Sequence, residues 1–193
     1  MRLYSHKSYN EYREAQIAKN KRKITSVWAR EKDIRMLSEK FLGDAKFGIC
    51  HGARLGAEVK WFQEYTDAEV IGTDISPTAR FIPSMIQWDY HDVKSEWIGK
   101  CDFIFSNALD HTHDPKKCAE AWLSCLAPKG ICIVEWWDSS TEELDAADCL
   151  QANLEEYVEI FNLPGYTVEV FENVSDNRGH WVLTRRGKPV LYL

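Results

Sequence analysis

From residue 46 onward, short apolar runs alternate with amphipathic stretches. A chain patterned this way returns each strand to the same edge of a sheet through a helical crossover, so the pattern specifies a parallel sheet flanked by helices. The runs lie near Lys46 to Cys50, Ala68 to Thr73, Ser84 to Trp88, Asp102 to Ser106 and Ile131 to Trp136. Thr167 to Glu172 and His180 to Thr184 then read as a closing hairpin, with Asn177-Arg178-Gly179 as its turn. The expected fold class is α/β, a doubly wound sheet that is parallel except for this terminal hairpin.

Helix signals fall between the runs. Ser76 before Pro77, and Asp114 before Pro115, each pair a capping side chain with a proline whose φ suits a first turn. After the second, Cys118, Ala121, Trp122, Cys125 and Leu126 form one apolar stripe that ends before the turn Pro128-Lys129-Gly130. Leu150, Leu154, Tyr157, Val158 and Phe161 form another, stopped by Pro164-Gly165. Ahead of the sheet, Ser8-Tyr9-Asn10-Glu11 reads as a capping box, followed by a basic cluster at Lys19, Lys21, Arg22 and Lys23. Two helices are expected there. The second carries Ile24, Val27, Trp28, Ile34, Leu37 and Phe41 on one face and lies across a sheet edge or over a ligand cleft. With neither repeat nor linker, 193 residues suit a single domain, a helical extension over 1–43 joined to an α/β core over 44–193.

Thirty acidic against 24 basic residues leave a net charge of −6, which repels a phosphate backbone and disfavours nucleic acid as a partner. No apolar stretch is long enough to span a membrane, and Met1 to Lys7 hold no apolar leader, so a cytoplasmic protein without a membrane partner is expected. The six cysteines include no C-x-x-C pair, and most sit in apolar runs as reduced structural thiols do.

Two strand ends carry the chemistry. Phe47 to Glu58 is a strand running into a turn with Gly52 and Gly56, then a helix. Glycines let backbone approach a ligand and helix-start amides favour a carboxylate or phosphate, although such a turn also serves a tight connection. Val70-Ile71-Gly72-Thr73-Asp74 ends in a carboxylate 22 positions after Gly52, a spacing that brings an acid to ribose hydroxyls in a doubly wound sheet. Ser76 is available as the helix cap, which leaves Asp74 for that role.

Residues 44 to 186 resemble the class I S-adenosylmethionine-dependent methyltransferases of the small-molecule type. Phe47 to Gly56 is similar to their glycine-rich first motif, Val70 to Ala79 to the second, and Met85 to Tyr90 to the third strand, whose end flanks adenine. Cys101 to Pro115 is similar to the fourth strand and its loop, where many members carry an acidic residue and a histidine, here Asp110-His111. Leu126 to Ile131 is similar to the leucine-x-proline-x-glycine turn into strand five. The resemblance implies a Rossmann-like seven-stranded sheet, S-adenosylmethionine as cofactor and a small-molecule acceptor. It further implies that His51 and Gly52 line the methionine part, that Asp74 holds the ribose and that Ile75 packs on adenine. Asp89 would accept from the exocyclic amine, with Trp88 or Tyr90 beside the ring, and Asn107 would stand at the methionine end. In the first motif this chain departs from the family. Gly48 stands at the usual acidic position, Arg54 follows Gly52, and Gly56 comes two positions late, so Arg54 or Glu58 takes over part of the pocket.

A sulfonium methyl is already activated, so the protein has mainly to align a nucleophile and remove a proton where required. Asp110 and His111, beyond the fourth strand at the carboxyl edge, are the expected catalytic pair, with His111 as base. Capping or packing at a helix start is the other role open to His111 and His113. No metal is expected: His111-x-His113-Asp114 has the wrong spacing for a metallohydrolase motif, and Asp89, His91 and Asp92 lack a fourth partner. Of Trp136 and Trp137, alternation directs at most one to the acceptor side. Ser106-Asn107-Ala108-Leu109 has neither the proline-proline-aromatic run of base-amine methylases nor the proline-cysteine pair of cytosine methylases. The alternative function is a non-catalytic binding module with a degenerate cofactor site.

Overall fold

The computed structural model describes residues 1–172 and 179–187. The chain opens with a short strand β1 (Arg2–Leu3) and helices α1 (Tyr9–Arg22) and α2 (Glu31–Phe41). Next come β2 (Phe47–His51), α3 (Ala57–Tyr65), β3 (Glu69–Asp74), β4 (Met85–Gln87), β5 (Cys101–Ser106), α4 (Pro115–Cys125) and β6 (Leu126–Trp137). A second short strand β7 (Leu150–Gln151), α5 (Leu154–Phe161), β8 (Tyr166–Glu172) and β9 (Gly179–Arg186) follow. The seven-stranded sheet has the order β4-β3-β2-β5-β6-β9-β8. Its strands are parallel from β4 to β6, and β9 lies antiparallel between β6 and β8. Ile49 and Ile71 are register partners, so the strand ending in the glycine turn and the strand ending in Asp74 are neighbours. Asn177 and Arg178 of the expected hairpin turn lie outside the described residues.

The strands read as nearly continuous apolar runs because both sheet faces are covered. Ile49, Ile104, Cys132 and Val134 point to one face, where Trp122 of α4 and Phe161 of α5 complete the core. Cys50, Phe103, Phe105 and Ile133 point to the other, against Ile34 and Leu37 of α2 and Val59 and Phe62 of α3. Gly48 lets this second layer close: a Cβ there would fall 2.1 Å from the Phe103 ring. Between β2 and β5 the chain changes winding direction, having run outward through β3 and β4 before returning. That switch point is where open α/β sheets hold ligands.

Several expectations need correction. Ile24, Val27 and Trp28 are not on the second helix, which begins only at Glu31; Val27 and Trp28 are exposed on the preceding loop. The run Ile24-Thr25-Ser26-Val27 is rich in β-branched and hydroxyl side chains, which lose freedom or compete for backbone bonds in a helix. Ser76 does cap Thr78, but only a 3-10 turn, Pro77–Phe81, follows, because Pro83 bars a longer helix. Leu150 belongs to β7, paired with Leu3 of β1, and α5 starts after a capping box between Asn153 and Glu156. Pro128 to Gly130 form no separate turn: they lie within β6, where the register against β5 shifts and a Cβ on Gly130 would meet the Cys101 carbonyl at 2.5 Å.

His51 also departs from its expected place. Its side chain is buried, its Nδ1 bonds Thr73 Oγ1 at 2.8 Å, and its ring stacks on Trp122 at 5.0 Å, so it fills the core beneath the cleft instead of lining it. Burial lowers its pKa from 6.5 to about 3. Between those values the unfolded chain binds a proton that the folded chain refuses, so stability falls as pH drops below about 6.5. Thermal unfolding at about pH 7.5 and pH 5.5 should show a lower Tm in acid, and His51→Gln should remove part of that difference. A slope identical to the parent's would exclude His51 as a source of acid sensitivity.

Candidate active site

The crevice at the switch point is shaped by backbone before side chains enter it. Positive φ recurs at Gly52 (74°), Arg54 (40°) and Gly56 (69°), so the loop after β2 turns at alternate residues. Gly56 is therefore in step with Gly52 and not late, and Arg54 occupies the middle turning position, where glycine would be relaxed. Counting back two residues from Gly52 gives Cys50, fully buried, as the strand position ahead of the loop. A Cβ at Gly52 would come within 2.6 Å of Ala108 Cβ, which is how closely the loops after β2 and β5 approach.

Two adjoining hollows occupy this crevice, sharing Lys19, Gly52, Arg54, Ala108 and His111 as walls. The larger, about 280 Å³, is bounded by the β2 loop, Glu58, Asn107, Asp110, Trp28, Trp137 and Asp148. The smaller, about 50 Å³, is bounded by Asp74, Ile75, Asp89 and Tyr90, with Tyr12, Gln16 and Asn20 of α1 closing it. Gly52, Arg54, Asp74, Ile75, Asp89, Tyr90, Asn107, Asp110 and His111 are thus brought together around one cleft. His51, Gly56 and Trp88 are not. Gly56 turns the chain into α3 with Met85 behind it, and Trp88 donates to the Asp92 carbonyl at 2.8 Å while packing on Trp97.

Asp74 accepts from the Ser76 amide at 2.8 Å and the Arg54 amide at 3.2 Å, and burial raises its pKa despite those bonds. Beside it, the Asn20 side chain accepts from Thr78 Oγ1 at 3.0 Å and faces the Asp74 carboxylate, whose pKa it draws down against the effect of burial. Asp89 accepts from Tyr9 Oη and His91 Nδ1, both at 2.6 Å. Burial pushes the Asp89 pKa upward, but the His91 and Tyr9 interactions outweigh it and hold the carboxyl at about 2. Tyr90 is buried and donates to the Ala108 carbonyl at 3.1 Å, tying the ends of β4 and β5 together.

His111 lies 2.8 Å from the Ala147 carbonyl through Nδ1. A carbonyl only accepts, so Nδ1 carries a proton; Asp148 Oδ1 lies 3.2 Å from that nitrogen and Asp110 Oδ2 lies 3.8 Å from Nε2. His113 instead packs between Tyr12 and His91, and burial lowers its pKa to about 4. Asp110, His111 and Asp148 present ligand atoms within 4.8 Å of one another. The Lys19 ammonium is already bonded to Asp148, so a lysine stands where a cation would balance this group.

The α1 wall is what sequence reading missed. Tyr12, Gln16, Lys19 and Asn20 are the buried residues of α1, spaced for one helical face, and nearly all are polar. A helix that buries a polar stripe faces a cleft and not a core, and that stripe is visible in the sequence. Gln16 Nε2 donates to the carbonyls of His111 (3.2 Å) and Ala147 (2.8 Å), tying α1 to the His111 loop.

A family model described as methyltransferase domain matches residues 49–134. No curated protein sequence matches the chain. Among solved structures it is similar to a Burkholderia thailandensis 1,6-didemethyltoxoflavin-N1-methyltransferase, crystallised with that acceptor and S-adenosylhomocysteine, at 16% identity and a TM-score of 0.70, covering 96% of this chain and 92% of that one. The N-methyltransferase NodS of Bradyrhizobium japonicum aligns at 13% identity with a TM-score of 0.68, over 90% of this chain and 100% of that one. A Haloferax volcanii putative methyltransferase, solved with its Trm112 activator, aligns at 14% identity with a TM-score of 0.68, over 95% and 100%. These likenesses carry the fold, while the matched methyltransferase domain spans β2 to β6, the strands that frame the crevice. Over residues 49–134 the chain matches a methyltransferase domain, and its fold is similar to that of methyltransferases crystallised with S-adenosylhomocysteine.

Proposed function

We propose that this chain is a cytoplasmic, single-domain methyltransferase acting on a small-molecule acceptor, with the cofactor held across the β2 and β5 strand ends and His111 as proton acceptor. The observation that carries this reading is the convergence of the glycine turn, Asp74, Asn107 and His111 on two adjoining hollows at the switch point. The residues fit such a cofactor: Gly52 leaves a cradle that a Cβ would fill, and the Asn20 side chain stands beside the Asp74 carboxylate on the wall of the smaller hollow. When bound, S-adenosylmethionine supplies an electrophilic methyl on a positively charged sulfur. Asp74 would accept from ribose hydroxyls, while Ile75 and Tyr90 would flank the adenine and Asp89 would face its amine. Asn107 and the β2 loop would hold the methionine end. His111, fixed by Ala147, would take the acceptor's proton on Nε2, with Asp110 orienting the ring and stabilising its charged form. The toxoflavin enzyme, of the same fold, holds a small heterocyclic acceptor, which supports a small molecule here. All six cysteines are free thiols, consistent with a reducing cytoplasm, and no helix among the described residues is long and apolar enough to cross a membrane. The open hollow beside Gly52 favours the catalytic reading over a binding module whose cofactor loop is blocked.

Asp74→Ala should weaken S-adenosylhomocysteine binding by about 1.5 to 3 kcal/mol, the cost of losing hydrogen bonds to a charged group. Calorimetry decides it, and an unchanged Kd in a variant that melts like the parent removes Asp74 from the site. His111→Ala should lower kcat by about 10²- to 10⁴-fold once an acceptor is in hand, while S-adenosylhomocysteine affinity stays within a few-fold. Parental turnover with a reduced Tm would instead make His111 a purely structural residue.

A further inference from the structure

Glu58 lies in the first turn of α3 and is 6% exposed, yet it borders the larger hollow together with Arg54, Ala57 and Asn107. Its carboxylate makes no hydrogen bond to another residue among the described ones. The nearest cation, Arg54, turns Nη1 to the Ser26 carbonyl at 3.0 Å. A buried carboxylate without a bonded counter-charge is costly, and burial raises the Glu58 pKa from 4.5 to about 7, against the Arg54 charge. Meanwhile β2 offers no acid of its own. Position 48 is filled by the Phe103 ring, and position 50 is a fully buried cysteine. Glu58 is close enough to Cys50 that its charge adds to burial in raising that thiol's pKa, so the carboxylate stands beside the strand position that lacks one.

We propose that Glu58 accepts hydrogen bonds from the α-ammonium of the cofactor's methionine end while the Arg54 guanidinium donates to its α-carboxylate. This rests on the cofactor reading above and extends it to the one part of the ligand for which the strand supplies no partner. An amino-acid end is a zwitterion and needs an anion and a cation side by side; Glu58 and Arg54 are such a pair, four residues apart across the turn into α3 and facing the same hollow. Binding completes the counter-charge that Glu58 lacks, which converts a buried charge from a cost into a contact.

The test compares ligands that differ at that end. Calorimetry at about pH 8, where Glu58 is ionised, measures S-adenosylhomocysteine, its deamino analogue and 5′-methylthioadenosine on the parent and on Glu58→Gln. The substitution should weaken S-adenosylhomocysteine by about 10- to 100-fold and leave 5′-methylthioadenosine within about 2-fold. The deamino analogue should bind the parent weakly and the variant no worse than S-adenosylhomocysteine does. An S-adenosylhomocysteine Kd within about 2-fold of the parent's, or an equal loss for all three ligands, overturns the assignment. If the variant fails to fold, the parent alone decides: a preference of about 10-fold or more for S-adenosylhomocysteine over the deamino analogue supports it, and equal affinity overturns it. A parent that binds neither S-adenosylhomocysteine nor 5′-methylthioadenosine overturns the cofactor reading itself, and the assignment with it.

Discussion

Parallel pairing of β2 with β3 on one side and β5 on the other governs everything else in this molecule. His51 aligns with Thr73 and with Ser106, so three strands end at one level and their loops emerge together. Parallel strands direct all their carboxyl ends to the same edge, and the reversal of winding between β2 and β5 leaves a gap there that no crossover helix covers. The Gly52 to Ala108 approach sets how deep that gap is, and the Tyr90 hydroxyl on the Ala108 carbonyl fixes the neighbouring β4 end to it. Side-chain chemistry is added to a geometry that the strand register has already determined.

Charge at the cleft is handled in three ways. Asp89 is satisfied by His91 and Tyr9, Asp74 by two backbone amides and the Asn20 side chain, and Glu58 by its own backbone amide alone. The pKa directions follow that order: Asp89 is held down to about 2, Asp74 is raised, and Glu58 rises to about 7. The hydrogen bond and charge of His91, joined by Tyr9, are what separate Asp89 from the others, since burial acts upward on all of them.

The sheet was legible because its signals are local and redundant. Apolar runs, glycine turns and proline-marked helix starts all point to the same order of elements, and the spacing from Gly52 to Asp74 follows from one strand, one helix and the next strand. Strand ends that were read to within a few residues suffice to bring Asp74, Asp89 and His111 to one edge. What failed was side-chain direction. The residue after Cys50 in a strand must point opposite to it, so His51 goes to the Trp122 side of the sheet, and Trp88 leaves the cleft because its indole finds the Asp92 carbonyl. The pairing of β1 with β7 joins residues near 2 and 150, and neither two-residue segment has a pattern of its own. Lys19 was read as part of a basic cluster, whereas only the tertiary fold brings it to Asp148.

Helix α1 adheres to the molecule through Tyr9 to Asp89, Gln16 to two carbonyls, Lys19 to Asp148 and Asn20 to Thr78. Water can replace each of those partners, and Tyr12 is the one aromatic among the four buried residues of this helix, unlike α4, whose Cys118, Ala119, Trp122 and Leu123 are buried in the core. Tyr12, Gln16 and Asn20 of α1 close the smaller hollow, so this helix forms one wall of the place where Asp74 and Asp89 meet. A wall held mainly by polar contacts opens more readily than one held by a packed core, so hydrogen exchange of the α1 amides would run ahead of exchange in the central strands.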